Sequence, residues 1–192
     1  MRRAALLGLL ALAACATEPG PTTPRTVERV DLARYLGTWH EAARLPQRFQ
    51  DSATLRCTAT TAEYAPLGPG RIRVTNSCLN ALDPDAPRRV AQGEAYVVEG
   101  SEGARLRVSF FKPFYGDYWV IGLDPDYRWA VVGSPSRRSL WILSRSERMR
   151  ETDLDTALAI ARREGFDLTR RPRAPLGQGA VAYTHLTLPT KR

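Results

Sequence analysis

The sequence predicts an all-β protein, an eight-stranded up-and-down antiparallel barrel with one C-terminal α-helix packed on its outside. Between Gly37 and Arg145 the chain alternates strand-like runs with turn residues and shows no long helical period. The connections between these runs alternate between compact and long, and one helical period follows Arg145. Alternate connections of an up-and-down sheet lie at the same end, so we expect one tight end and one open end that admits a small ligand.

Each predicted strand is a run of β-branched, aromatic and aliphatic residues that ends at glycine, proline, aspartate or asparagine. We predict strands over residues 37–44, 56–64, 71–78, 89–98, 104–111, 117–123, 128–133 and 139–145. The compact connections are residues 65–70, 99–103 and 124–127, and the long ones are residues 45–55 and 79–88.

Closure of the sheet would bring the first strand beside the last. Trp39 would then meet Arg145 at the tight end, where a guanidinium stacked on an indole stabilises the pair by about 0.5–2 kcal/mol. We therefore expect both residues to be structural, together with Gly37.

The two internal cysteines fit the second hairpin. With a turn centred on Leu67-Gly68, Cys57 lies directly opposite Cys78, and opposed Cα atoms are about 4.5–5.5 Å apart, within reach of a disulfide. Two free buried thiols are the alternative. The two histidines, His40 and His185, are far apart and the chain has no Cys-x-x-Cys, so we predict neither a metal site nor a cofactor.

A helix follows the last strand. Thr152 and Asp155 have the spacing of a capping box, apolar residues recur at i, i+3, i+4 and i+7 from Leu154, and Gly165 provides a C-terminal stop. This pattern predicts an amphipathic helix that packs on the barrel. Residues 166–168 can add a short strand beyond it.

The N-terminus reads as an export signal. Arg2 and Arg3 precede the uncharged run 4–14, which is too short to cross a bilayer as a helix. The segment that ends at Cys15 resembles the bacterial lipobox, which implies cleavage of residues 1–14 and acylation of Cys15. The alternative is an ordinary signal peptide with Cys15 there by chance. Residues 15–30 contain several prolines and predict an extended tether.

The composition is that of a soluble globular domain, with 43% hydrophobic and 25% charged residues. The formal charge is +8, but the arginines are scattered and form no basic stripe with interleaved aromatics, so nucleic acid is excluded as a partner. Contact with anionic lipid headgroups and a solvated basic surface both remain open. Residues 169–192 continue no earlier pattern and are expected to be disordered or non-native.

Several segments resemble the lipocalin family, and in particular its apolipoprotein D-like bacterial outer-membrane lipoproteins. Residues 35–44 and 140–145 resemble the first and third lipocalin signatures, and residues 108–118 resemble the approach to the second. Residues 163–167 match the segment after the family's helix. The resemblance covers residues 31–168 and departs from the family at His40, where tyrosine is usual.

The resemblance implies that the protein binds fatty acids, lysophospholipids or similar amphiphiles for storage or transport. It also implies a lipid-anchored location at the outer membrane, facing the periplasm, and leaves a homodimer open. Two other classes remain: a lipid-modifying enzyme on a similar barrel, and a structural envelope lipoprotein. No Gly-x-Ser-x-Gly elbow, positioned Cys-His pair or functional carboxylate pair favours the enzyme, so no catalytic residue is predicted.

Strand alternation selects the residues that would face the cavity. The predicted ligand-binding residues are Glu41, Ala43, Leu106, Val108, Phe110 and Phe114, with Phe49, Phe111 and Tyr115 also at the mouth. A lone buried carboxylate is costly, so Glu41 is either hydrogen-bonded near the floor or contacts a ligand headgroup. Asp117 and Tyr118 are expected to brace the fold.

Overall fold

The computed structural model describes residues 22–169. The predicted signal peptide at residues 1–14, the lipidation site Cys15 and almost all of the predicted tail lie outside this range. Within it, the two helices are too short to span a bilayer.

Eight strands form a closed barrel in which each strand pairs antiparallel with the next and the eighth pairs with the first, so the predicted fold class is confirmed. The strands are β1 (Gly37–Arg44), β2 (Cys57–Gly68), β3 (Arg71–Asn80), β4 (Arg89–Val97), β5 (Arg105–Phe111), β6 (Phe114–Leu123), β7 (Trp129–Gly133) and β8 (Leu140–Ser144). Two helices flank them, α1 (Leu32–Tyr35) and α2 (Glu151–Arg163). We call the end that α1 covers the floor, and the opposite end, which carries the long loops, the mouth.

Three strands, β2, β3 and β6, are longer than predicted, and β3 runs on to Asn80. β2 runs on to Gly68 and turns through residues 69–70, because Gly70 adopts the left-handed conformation (φ 65°) that the turn requires. Pro66 does not end this strand, since β1 pairs with β2 only as far as Tyr64 and leaves the edge beyond it open to a residue without an N–H group. β6 starts at Phe114 rather than 117, which reduces the fifth connection to residues 112–113.

The disulfide between Cys57 and Cys78 is present, with a Cα–Cα distance of 5.3 Å. The register predicted for it is wrong, because the turn lies nearer the C-terminus than Leu67-Gly68. Cys57 is opposite Asn80, two residues from Cys78, and the two cysteines are therefore diagonal neighbours on one face. A bulge at this end of the hairpin, with Ala59 at φ 46°, accompanies their close approach.

The α2 helix covers the outside of the barrel, as predicted. Leu154, Ala157 and Ala161 pack with Val131 and Ile142 in a second core that lies between the helix and the barrel wall. This core is separate from the one inside the barrel, so the helix can be held without filling the interior.

The predicted capping box is wrong. The N-cap residue is Arg150, which makes no side-chain capping bond, and Thr152 lies inside the first turn. The acidic side chains of Glu151 and Asp153 stand in that turn instead, where they interact favourably with the helix dipole, and Asp153 accepts a 2.8 Å hydrogen bond from Arg150 Nε.

The strand suggested for residues 166–168 is also absent. The helix ends at Arg163, and Gly165 (φ 82°) provides the predicted stop two residues later. The Phe166 amide donates to the Ala161 carbonyl at 3.0 Å. The ring of Phe166 then packs against Gly133, where an added Cβ would collide with it. Phe166 is thus the C-terminal anchor of the helix-side core and not a strand residue.

The short helix α1 closes the floor and was not predicted. Asp31 caps it by accepting a 2.9 Å hydrogen bond from the Ala33 amide, and its last residue, Tyr35, is almost fully buried. The indole Nε1 of Trp39 donates to the Tyr35 carbonyl at 2.9 Å. The helix is therefore fixed to the first strand from inside the barrel.

Arg145 completes the floor. Its guanidinium carbon lies 3.8 Å from the centroid of the Trp39 ring, which confirms the predicted stacking. Its two Nη atoms donate to the carbonyls of Arg34, Leu36 and Thr38 at 2.7, 2.9 and 2.9 Å. One side chain from the end of β8 therefore holds the α1–β1 junction.

We predict that Arg145→Lys lowers the free energy of unfolding by about 2–4 kcal/mol, because lysine cannot reproduce both the stacking and three carbonyl hydrogen bonds. Urea unfolding followed by circular dichroism measures this loss. Arg105→Lys is the matched control, since Arg105 stacks on Trp119 at 4.8 Å from the exposed side of the wall, and should cost less than about 1 kcal/mol. Equal losses in both variants would contradict the role of Arg145.

Candidate ligand-binding site

The upper part of the barrel encloses a cavity of about 660 Å³ that reaches the mouth. Its deeper wall is mainly aliphatic and aromatic, because alternate residues of each strand face inward. These inward residues include Ala62, Tyr64, Ile72, Val74, Ala95, Leu106, Val108, Tyr118 and Leu143. The volume lies within the range of about 300–1,000 Å³ that is usual for small-molecule sites.

The predicted residues of β5 line this cavity in order of depth. Leu106 is buried near the floor, Val108 is half-buried at mid-height and Phe110 is exposed near the mouth. Phe114 and Phe49 stand at the rim and are 72% and 65% exposed. The structure thus brings these residues to one cavity, and their contact with a ligand stays a prediction.

Ala43 does not face the cavity. The pairing of β1 with β8 shifts between Glu41 and Ala43, and this bulge reverses the inward parity that strict alternation predicts. Ala43 belongs instead to the core between the wall and α2, beside Leu45 and Ile142. The prediction that it lines the ligand site is therefore wrong.

Glu41 lies on the cavity wall, two residues nearer the mouth than Trp39 along β1, and is 4% exposed. Its Oε2 accepts a 2.8 Å hydrogen bond from Gln50 Nε2, and its Oε1 accepts one from Arg44 Nη1. Gln50 in turn accepts a 3.1 Å hydrogen bond from the indole of Trp141. The first mouth loop is therefore tied to the cavity wall through this carboxylate.

Arg44 is shared between two carboxylates. Its Nε and Nη2 donate to Asp51 at 3.0 and 2.8 Å, and Nη2 also donates to the Cys57 carbonyl at 3.0 Å. Burial raises the pKa of Glu41, and the nearby guanidinium and the Gln50 amide only partly oppose this. The sequence showed Arg44, Gln50 and Asp51 only as polar residues of a strand end and loop, and it gave no signal that they would meet.

Three tyrosine hydroxyls meet at the deeper wall of the cavity. Tyr118 is hydrogen-bonded to Tyr35 at 2.8 Å and to Tyr64 at 2.9 Å. Burial raises the pKa of Tyr64 to about 12, so this hydroxyl stays protonated near neutral pH. The cluster gives Tyr118 a bracing position, and Asp117 pairs with Arg107 at 3.2 Å.

No group of three or more histidine, cysteine, aspartate or glutamate side chains that could hold a metal ion occurs within residues 22–169.

Comparison with known proteins gives consistent matches. A family model described as a lipocalin-like domain matches residues 30–175. The outer membrane lipoprotein Blc of Escherichia coli (strain K12) is 39% identical over 168 residues, which cover 87% of this chain and 91% of that protein. Temperature-induced lipocalin-1 of Arabidopsis thaliana is 36% identical over 157 residues, covering 78% and 81%.

Solved structures give the same fold. Insecticyanin from the tobacco hornworm Manduca sexta superimposes with a TM-score of 0.62 at 18% identity, covering 84% of this chain and 88% of that one. Lipocalin 12 from rat epididymis also superimposes with a TM-score of 0.62, at 13% identity and with coverage of 85% and 96%. At these identities the likeness concerns the architecture alone.

The raised pKa of Glu41 predicts a pH-dependent stability. The folded state holds the Glu41 proton more tightly than the unfolded chain, so stability falls as pH rises from about 4.3, the ordinary glutamate value, through the folded pKa. Glu41→Gln removes this loss. Urea unfolding between about pH 4 and 7 should therefore show the stability of the variant relative to wild type increasing with pH. A flat or decreasing difference would contradict the burial effect.

Proposed function

The chain belongs to the lipocalin family, and on this basis we propose that it binds an amphiphilic lipid, a fatty acid or lysophospholipid, with the acyl chain inside the barrel. The observation that carries the proposal is the cavity of about 660 Å³ whose deep wall is apolar. Burial of a chain there would be favourable by about 0.8 kcal/mol for each CH₂ group removed from water.

The geometry favours entry of the chain with its tail first. Leu106 and Val108 line the deeper wall, whereas the rim carries the exposed rings of Phe49, Phe111 and Phe114. The exposed side chain of Arg138 also lines the cavity from a mouth loop, where it can attract an anionic headgroup. A tail that enters first therefore leaves its headgroup on the mouth side of the chain.

We further infer storage or transport of lipid at the bacterial outer membrane, with the domain facing the periplasm. Two observations support this location. Residues 12–15 resemble a lipobox, and relatives from Escherichia coli and Vibrio cholerae at 39% and 36% identity are named outer membrane lipoproteins. A binding role also fits the family better than a catalytic one.

We predict that Val108→Arg reduces the affinity for a fluorescent fatty acid at least about 100-fold, because an unpaired charge inside the cavity would have to be desolvated against the chain. Val108 lines the wall at mid-height between Ala95 and Gly116. Fluorescence titration measures the affinity, and circular dichroism checks that the variant is folded.

Val90→Arg is the matched control, since Val90 is 61% exposed on the outside of β4. It should bind as wild type does. Unchanged affinity in folded Val108→Arg would show that the chain does not enter the barrel. Absence of binding to any amphiphile by the wild type would favour a structural envelope role.

A separate prediction concerns the anchor. Cys15→Ala should abolish lipidation and move the protein from the membrane fraction to the soluble periplasmic fraction, because attachment depends on several acyl chains at about 0.8 kcal/mol per buried CH₂. Fractionation and intact mass measure both effects. A variant that stays with the outer membrane, together with wild type that carries no acyl mass, would refute the anchor.

A further inference from the structure

One side of the cavity is polar. Glu41, Thr60 and Asn76 lie on the neighbouring strands β1, β2 and β3, and all three line the cavity. Trp39, Ala62 and Asn76 are paired in one row across β1, β2 and β3. Glu41 and Thr60 lie two residues nearer the mouth than this row. Together these three side chains, which we call the polar subsite, form a patch on the inner wall at mid-height.

The polar subsite has unused hydrogen-bonding capacity. Thr60 Oγ1 and Asn76 Oδ1 are buried and have no hydrogen-bond partner among residues 22–169. Thr60 is only 9% exposed, so bulk water cannot readily form a hydrogen bond with its hydroxyl. Each carboxylate oxygen of Glu41 accepts one hydrogen bond from the protein and can accept a second.

The opposite wall has a different character. β5 lies four strands away from β1 around the barrel, and it presents Leu106 and Val108 to the cavity. A plain alkyl chain would satisfy this wall but would leave Thr60 and Asn76 without partners. The cavity therefore suits a molecule that has one apolar side and a hydrogen-bonding group at mid-depth.

We propose that the polar subsite binds an uncharged hydroxyl-bearing segment next to the acyl chain, as in a monoacylglycerol, and disfavours a free carboxylate. This inference rests on the lipid-binding function proposed above and narrows its ligand class. A hydroxyl both donates and accepts, so it can donate to Glu41 while it accepts from Thr60. A carboxylate only accepts, and it would be repelled by Glu41 and Asp51, which already share the single guanidinium of Arg44.

The test compares three ligands with the same acyl chain at about pH 8, where a free fatty acid is ionised. They are the monoacylglycerol, the fatty acid methyl ester and the fatty acid, each used to displace a fluorescent acyl-chain probe from the full-length protein. We expect the monoacylglycerol to bind about tenfold more tightly than the methyl ester, and the methyl ester more tightly than the fatty acid.

Substitutions assign each difference to a side chain. Thr60→Val keeps the shape but removes the hydroxyl, and should reduce the advantage of the monoacylglycerol over the ester to about threefold or less. Glu41→Gln should reduce the difference in affinity between the methyl ester and the fatty acid. Thr61→Val is the matched control, because the Thr61 hydroxyl is hydrogen-bonded to Ser77 at 2.8 Å and does not line the cavity. This variant should retain both differences in affinity.

Two results would overturn the role of the polar subsite while leaving lipid binding intact. One is equal affinity for the three ligands, and the other is an equal loss of the affinity differences in Thr60→Val and Thr61→Val. Binding of none of the three by folded wild type would instead overturn the proposed function. Circular dichroism of each variant confirms that the comparison is made on folded protein.

Discussion

Arg145 joins the two ends of the sheet, and the cavity depends on that junction. A barrel wall can leave space inside only if the strands are held by something other than a filled interior. Here the guanidinium lies 3.8 Å from the Trp39 ring centroid and binds three carbonyls of the α1–β1 segment. The floor is therefore a connected unit of helix, first strand and last strand beneath the cavity.

The division of the apolar residues into two cores has the same effect. The inner core packs around Trp39 and forms both the floor and the deeper wall of the cavity, while a second core holds α2 against the outside of the wall. Much of the apolar burial thus occurs below or outside the cavity. Stability and ligand space are supplied by different parts of the molecule, which is how a domain of this size can retain an open interior.

Sequence reasoning found the features that follow from periodicity and missed those that depend on local departures from it. Strand count, barrel closure and the Trp39–Arg145 contact follow from alternation and turn spacing. The disulfide is present although the register from which it was predicted is wrong. Ala43 was misplaced because a bulge in β1 is not encoded in the polar and apolar pattern. The cysteine register was misjudged because the strand was predicted to end at residue 64, whereas β2 continues to Gly68 and moves the turn towards the C-terminus. The Glu41, Gln50 and Arg44 contacts needed the path of a loop, which composition does not determine.

Trp141, which is hydrogen-bonded to Gln50, is an intrinsic fluorescent probe of the cavity. Of the four tryptophans, Trp141 is the one whose side chain borders the cavity, whereas Trp39 and Trp129 are buried in the two cores and Trp119 lies beneath Arg105 on the outer wall. A change in what fills the barrel alters the polarity around a single indole, and the same indole senses the position of the first mouth loop through Gln50. The fluorescence of Trp141 therefore reports both on what occupies the barrel and on the conformation of the barrel entrance.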